Sequence, residues 1–130
     1  MTKKRTDPRL NKIIADGDMD ILISYAMELG QRVAGEDLGR TQVRNIYGMV
    51  KAFESKRDRD YDQLKLLIPK LHYAAARESK LVPLVEALSD SIMLVGKDAG
   101  RFKRFADFFE AVVAYHYAAS EDRKKQKRRR

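Results

Sequence analysis

The chain has 130 residues, of which 44% are hydrophobic and 35% charged, and its formal net charge is +8. This length suits one domain with a hydrophobic core and is short for two. The absence of cysteine excludes disulfides, thiolate metal sites and a cysteine nucleophile. No apolar run approaches the ~20 residues that span a bilayer, and no signal-peptide core follows Met1. We therefore expect a soluble, cytoplasmic protein with no membrane partner.

The chain starts with a basic arm, residues 1–9, in which four cations face one carboxylate for a net charge of +3. A first helix is predicted from Asp7 and Pro8, because aspartate caps helix N-termini and proline suits the first turn. A second helix is predicted over residues 19–33, where Gly30 weakens the last turns. The positions expected to face the core are Leu10, Ile13, Ile14, Leu22, Tyr25, Ala26, Leu29 and Val33.

A third helix is predicted from Thr41, a residue type that caps helix N-termini. Gly35 and Gly39 mark the loop before it. Arg44 and Lys51 fall on the side of this helix that is opposite its apolar face. The positions expected to face the core are Val43, Ile46, Tyr47, Val50 and Phe53.

Two further helices are predicted, over residues 61–79 and 80–95. Pro69 lies inside the fourth and cannot donate a hydrogen bond to the carbonyl of Lys65, so we expect a bend there. Pro83 lies in the first turn of the fifth, where proline is tolerated. The positions expected to face the core are Leu64, Leu67, Ile68, Leu71, Ala75, Leu81, Leu84, Val85, Leu88, Ile92 and Val95.

The last helix is predicted over residues 101–119, after a turn bracketed by Gly96 and Gly100. Its apolar face carries Phe102, Phe105, Phe109, Val112, Val113 and His116. Three cations stand at its start, where the helix dipole disfavours positive charge, so we expect an anionic group to compensate them. These cations are Arg101, Lys103 and Arg104.

The predicted fold is all-α, a compact single-domain bundle of five to six short helices over residues 10–120. A disordered polybasic tail, residues 121–130, follows with a net charge of +5. Residues 10–120 carry no net charge, so both ends are basic arms on a neutral core. Such arms attract polyanions, with nucleic acid as the leading candidate. A solvated tail that only keeps the protein soluble is the open alternative.

The sequence offers few residues for catalysis or metal binding. His72 and His116 are the only imidazoles, and neither lies in a His-Glu-x-x-His zinc motif. Both are interpreted as core or rim residues. No Ser-His-Asp order and no glycine-rich phosphate loop is present. We therefore predict no catalytic residue, no metal site, no cofactor and no enzymatic activity.

Basic side chains inside the fold are better candidates for binding. Lys70, Tyr73 and Arg77 have the spacing of one helix face, where cations can neutralise phosphates and a ring can stack. The open alternative is that Tyr73 packs partly in the core while both cations extend to water. The candidate nucleic-acid-binding residues are Arg40, Arg44, Lys51, Lys70, Tyr73, Arg77, Arg101, Lys103 and Arg104.

Three segments together resemble the small subunit of type III-A CRISPR effector complexes, the Csm complexes. Residues 41–47, TQVRNIY, resemble its Ser-Gln-aliphatic-Arg-Lys-x-Tyr helix start. Residues 68–77, IPKLHYAAAR, resemble its Pro-Lys-Leu-x-Tyr-Ala-x-x-Arg segment. Residues 102–105 and 110–116 resemble its Phe-Lys-x-Phe…Glu-Ala-x-x-Ala-Tyr helix. The three segments occur in the family's order.

The resemblance implies a helical, non-catalytic protein, present in several copies beside other subunits of a ribonucleoprotein filament that acts in antiviral defence. It implies that basic residues contact the backbone of guide RNA and target RNA, while another subunit cleaves the target. It favours Arg44 and the cations of the fourth and last helices as RNA contacts without sequence readout. Asn45 and Ala76 depart from the family's usual basic residue and glycine, and residues 123–130 lie outside the resemblance.

Two other classes of protein stay open at this point. One is a stand-alone helical adaptor whose aromatic last helix docks on a partner protein. The other is a small DNA-binding protein with basic arms on a helical core, although no recognition helix with several base-reading side chains is evident.

Overall fold

The computed structural model describes residues 6–34 and 37–128. Its elements are α1 (Pro8–Ile14), α2 (Met19–Arg32), α3 (Asp37–Glu54), α4 (Tyr61–Lys65), α5 (Leu67–Arg77), a 3₁₀ turn (Ser79–Leu81), α6 (Val82–Val95) and α7 (Ala99–Arg128). The predicted all-α, single-domain bundle is confirmed, and these two ranges contain no strand. The predicted fourth helix is divided into α4 and α5, and α7 is long instead of short.

The last helix, α7, lies at the centre of the bundle. Its predicted apolar face is buried except for Val113, which is half-buried, and burial also includes a residue outside the predicted face, Phe108. The four phenylalanine side chains that are at most 1% exposed are Phe102, Phe105, Phe108 and Phe109. Removing four rings from water provides a large part of the hydrophobic stabilisation of so small a domain.

One neighbour of α7 is α2, which runs parallel to it and touches it at Gly30. A Cβ atom at position 30 would lie 2.8 Å from the backbone nitrogen of His116 and 2.8 Å from Cβ of Tyr115. Nearer the start of both helices, the rings of Tyr25 and Phe108 pack with centroids 5.6 Å apart. The expectation that Gly30 only weakens α2 is therefore incomplete, because the missing side chain lets two helix backbones meet.

A second neighbour of α7 is α3, which runs antiparallel to it. Phe53, near the end of α3, packs on Phe102 with ring centroids 5.1 Å apart. One to two turns earlier on α3, Tyr47 meets Phe109 edge-on at 5.8 Å. Edge-to-face ring pairs of this kind add to the stabilisation from burial alone.

Aspartate side chains begin four of the described helices, the fourth being α7, where the Asp98 carboxylate accepts from the backbone N–H of Arg101 at 2.9 Å. The predicted cap of α1 is confirmed, since the Asp7 carboxylate accepts a hydrogen bond from the backbone N–H of Arg9 at 2.9 Å. Asp18 caps α2 and Asp60 caps α4 in the same way, at 3.1 and 3.0 Å. Each carboxylate satisfies a backbone donor that the helix leaves unpaired.

The start of α3 differs from the prediction. The helix begins at Asp37, so Thr41 is inside it and the cap predicted at Thr41 is wrong. Gly39 also lies inside α3, beside the side chain of Glu78. Packing of this turn against the bundle outweighs the low helix propensity of glycine. Gly35, the other residue of the predicted loop, is outside the described residues.

The sequence predicted a bend at Pro69. In the structure the helix is interrupted about one turn before Pro69, at Leu66. The first segment, α4, ends at Lys65, and α5 begins at Leu67. Because Pro69 has no N–H for the carbonyl of Lys65, the series of helical hydrogen bonds is interrupted between the two. The result is that α5 is a separate helix of 11 residues.

The connection into α7 follows the prediction in part. Pro83 lies in the first turn of α6, as expected. Gly96 ends α6 with φ of +58°, a conformation that favours glycine. Gly100, which was predicted to bracket the turn, instead lies in the first turn of α7.

The end of α7 corrects the sequence-based expectation of a disordered tail. The helix continues to Arg128, and residues 129–130, like residues 1–5 of the basic arm, are outside the described residues. The guanidinium of Arg123 donates a hydrogen bond to the carbonyl of Ala34, just after α2. Cations in the last turns of a helix also complement its dipole, which favours helix over tail.

The contact at Gly30 makes a stability prediction. Gly30→Ala places a methyl group against the backbone of α7, so we expect the free energy of unfolding to fall by about 1–3 kcal/mol. Gly48→Ala is the matched control, because Gly48 is also helical and a Cβ there meets nothing within 4 Å. That control is expected to gain about 0.5–1 kcal/mol from helix propensity. Urea unfolding of both variants checks this; similar stabilisation of the two would contradict the close contact.

His116 makes a prediction about pH. Its side chain is 3% exposed, and burial lowers its pKa, as do the positive charges of Arg40 and Arg123. The unfolded chain therefore takes up a proton near the ordinary pKa of about 6.5, at a pH where the folded chain does not. We expect stability to decrease as pH falls from about 7 through that value. The slope, measured by urea unfolding, should be smaller in His116→Gln; an unchanged slope would contradict this assignment.

Candidate nucleic-acid interface

The outer face of α5 carries Lys70, Tyr73 and Arg77, hereafter the α5 stripe. All three side chains are exposed. The helix itself, residues 67–77, contains no acidic residue. Among the described residues, neither Lys70 nor Arg77 takes part in an ion pair. The positive charge of the α5 stripe is therefore open to an outside anion.

Tyr73 lies at the surface, which removes the alternative that it packs in the core. Its side chain is 61% exposed. The Nη1 atom of Arg77 donates a hydrogen bond to the Tyr73 hydroxyl at 3.2 Å, and its guanidinium carbon is 5.9 Å from the ring centroid. Ring and guanidinium are thus held together on one exposed surface, an arrangement suited to stacking on a base beside a phosphate.

The three candidates on α3 have different surroundings. Arg44 is exposed and makes no ion pair with any described residue. The ammonium group of Lys51 lies 2.8 Å from the carboxylate of Glu54. Arg40 is only 12% exposed and pairs with Glu121 of α7 at 3.0 Å. Of the three, Arg44 is the one whose charge is not already matched.

Two of the three cations at the start of α7 bind backbone carbonyls. Arg101 Nη1 donates to the carbonyl of Leu94 at 2.9 Å, and Arg104 Nη1 donates to those of Ile14 and Ala15 at 3.2 and 3.0 Å. These carbonyls are at the C-terminal ends of α6 and α1, where the helix dipole is negative. The sequence predicted that a negative group compensates the cations at the start of α7. For Arg101 and Arg104, this role is filled by the C-terminal ends of α6 and α1.

The third cation, Lys103, is on the surface. Its side chain is 75% exposed, and its ammonium group is 3.2 Å from the carboxylate of Asp107. The two residues are four positions apart, a spacing that brings side chains together on one helix face. The structure therefore does not bring the three cations together as one open basic cluster.

Two surface residues were missed by sequence reasoning. The first is Lys56, which lines a groove of about 260 Å³ between α3 and α5 together with Lys70 of the α5 stripe. Phe53 and Leu67 also line this groove. The second is Tyr117, whose side chain is 55% exposed. Its ring centroid is 5.2 Å from the guanidinium carbon of Arg40. Tyr117 was detectable, because an aromatic residue on the polar side of the last helix has no place in the core.

Within residues 6–34 and 37–128, no three His, Asp or Glu side chains come together as metal ligands, and no helix has the length and apolarity to cross a membrane. The aromatic face of α7 is in the core, so the adaptor hypothesis that used this face as a docking surface is wrong.

The division among the α7 cations can be tested by stability. Arg104→Ala leaves two carbonyls at the end of α1 without their donor, so we expect a loss of about 1–3 kcal/mol in the free energy of unfolding. Lys103→Ala, one residue away, removes an exposed charge and should change it by about 0.5 kcal/mol or less. Chemical denaturation of both variants checks this, and an equal effect would show that Arg104 is only a surface cation.

Comparison with known proteins identifies the family. The family model described as Csm2 Type III-A matches residues 16–122, most of the chain. No curated protein and no solved structure matches the chain. The matched range contains α2 to α6 and the part of α7 that packs in the bundle, and it ends before the last cations of α7. The chain therefore belongs to the Csm2 Type III-A family, the small structural subunit of type III-A CRISPR complexes.

Proposed function

We propose that this chain is a non-catalytic RNA-binding subunit that holds guide RNA and target RNA by their backbones. The observation that carries the proposal is the α5 stripe, two cations and an exposed ring on a helix without acidic residues. The stripe also falls in a segment that resembles the family's own pattern, residues 68–77. Other subunits of the complex and further copies of this chain are its expected partners, and the cytoplasm its expected location.

Binding in this proposal is independent of base sequence. Lys70 and Arg77 neutralise phosphates, and Tyr73 offers a ring on which any base can stack. A subunit that must accept every guide needs this kind of contact. A single exposed cation contributes on the order of 1 kcal/mol or less, while several together produce strong, salt-dependent binding.

The proposed set of RNA-binding residues is smaller than the sequence-based one. It contains the α5 stripe and Arg44, whose charge is unmatched among the described residues. Arg101 and Arg104 are assigned to the fold because Nη1 of each donates to carbonyls at a helix end. Arg40, Lys51 and Lys103 are assigned to ion pairs within the bundle, which reduce their attraction for phosphate.

The proposal predicts the effect of removing the stripe's cations. In the full chain, Lys70→Ala with Arg77→Ala should weaken binding to a labelled single-stranded RNA and leave the melting temperature nearly unchanged, because both side chains are exposed. The slope of log affinity against log salt should become shallower by about 0.7 for each phosphate that the variant no longer neutralises. Fluorescence anisotropy at two salt concentrations measures both quantities.

The matched control removes two cations elsewhere. Lys12→Ala with Lys97→Ala lowers the net charge equally, at exposed positions on α1 and after α6. We expect this control to bind RNA nearly as well as the unmodified chain. Equal weakening by both double variants would mean that only net charge matters, and undiminished binding by the stripe variant would contradict the proposal. The same titration with matching DNA tests the DNA-binding alternative, which requires DNA to bind at least as tightly.

A further inference from the structure

The last cations of α7 lie outside both the bundle and the family match. Residues 124–128, hereafter the α7 extension, are helical and exposed, and they follow the last acidic residue, Asp122. The family match ends at residue 122. The extension carries four cations and no carboxylate: Lys124, Lys125, Lys127 and Arg128.

The α7 extension is held in direction by the bundle. Ser120 is buried, and Arg123 donates to the carbonyl of Ala34 at the end of α2. Between them, Glu121 pairs with Arg40 of α3 at 3.0 Å. The base of the extension is thus bound to α3 and to the segment just after α2, and the residues beyond continue the same helix for about 7 Å.

The α5 stripe ends at the same end of the bundle. Its last residue, Arg77, precedes Glu78, and a Cβ on Gly39 of α3 would lie 3.6 Å from Glu78 Cγ. The next residue of α3, Arg40, is the one that pairs with Glu121. The end of α5, the start of α3 and the base of the α7 extension are therefore consecutive neighbours.

An exposed ring lies at this junction. Tyr117 is one turn before Glu121 on α7, more than half exposed, and has the Arg40 guanidinium beside its ring. Tyr73 and Arg77 form the corresponding pair on the α5 stripe. Cations that follow a backbone, with rings between them on which bases stack, are the usual features of surfaces that bind single-stranded nucleic acid.

We infer that the α7 extension is a second RNA-backbone contact beyond the α5 stripe, and that one RNA strand spans both. The inference rests on the proposed function, because it takes the α5 stripe as the first contact. Tyr117, beside Arg40 at the base of the extension, supplies a stacking surface. Since the extension is a helix fixed at its base, its cations are presented at a set distance from Arg77 instead of sampling a wide volume as a flexible tail would.

Two variants of the full chain separate a positioned helix from simple charge. The first replaces all four cations of the α7 extension by glutamine, a good helix former, and so removes charge while keeping the helix. The second, Gln126→Pro, keeps every charge but interrupts the helix within the extension. Arg123, which donates to Ala34, is unchanged in both variants, and circular dichroism checks that the bundle is folded.

Each variant is titrated with two RNAs. The short one, about 4 nucleotides, is chosen to cover a single binding surface, and the long one, about 16 nucleotides, to span both. We expect either variant to lose on the order of tenfold or more in affinity for the long RNA, because a strand that spans two surfaces gains from their connection. The decrease for the short RNA should be much smaller. The glutamine variant should also show a shallower salt dependence, by about 0.7 for each phosphate that it no longer neutralises.

Three results would overturn the inference. Equal decreases for short and long RNA would mean that the extension binds independently of the stripe. Full affinity in Gln126→Pro would mean that it acts as a flexible polycation. If the glutamine variant binds RNA as well as the unmodified chain, while Lys70→Ala with Arg77→Ala weakens binding, the extension is not an RNA contact. The proposed function of the α5 stripe would then still hold. If only the extension variants weaken binding, the α5 stripe is not an RNA-binding site. The inference that one RNA strand spans both surfaces is then wrong as well.

Discussion

The close approach of α2 and α7 at Gly30 determines how the rest of the bundle is arranged. Because the two backbones meet there, α7 sits deep enough for its phenylalanines to pack against helices on opposite sides. The same approach brings the end of α2 within reach of Arg123, so it also directs the helix beyond the bundle. Packing this tight leaves no room for even one methyl group.

A second constraint is the use of arginine to hold helix ends. Arg104, Arg123, Arg59 and Arg101 donate to carbonyls at or just after the ends of α1, α2, α3 and α6, respectively. A guanidinium suits this task because it has several donors and stays charged. The consequence is that the net charge overstates how many cations are open to an outside anion such as the proposed RNA. The candidates for phosphate binding are concentrated on α5, at Arg44 and on the last turns of α7.

The sequence was sufficient for the fold class and for most of the core, because apolar residues at helical spacing mark buried faces directly. It was also sufficient for Asp7 as a cap, whose effect is local. It failed at Thr41 and Gly30, where contacts with distant helices outweigh local preference. Nor could it separate Arg104 from Lys103, since a cation that reaches a carbonyl 90 positions away in the chain has the same local pattern as one in water.

Because the helix runs without a break from the core into the α7 extension, the number of residues between them determines the direction in which the terminal cations point. Each residue of an α-helix turns the chain by about 100° and advances it by about 1.5 Å. A one-residue insertion between Arg123 and Lys125 would therefore rotate the terminal cations to another side of the molecule, whereas an insertion of about seven, close to two full turns, would nearly restore their facing while moving them outward. Insertions and deletions in this stretch should be tolerated less well than exchanges of lysine for arginine, a pattern opposite to that of an ordinary terminal tail.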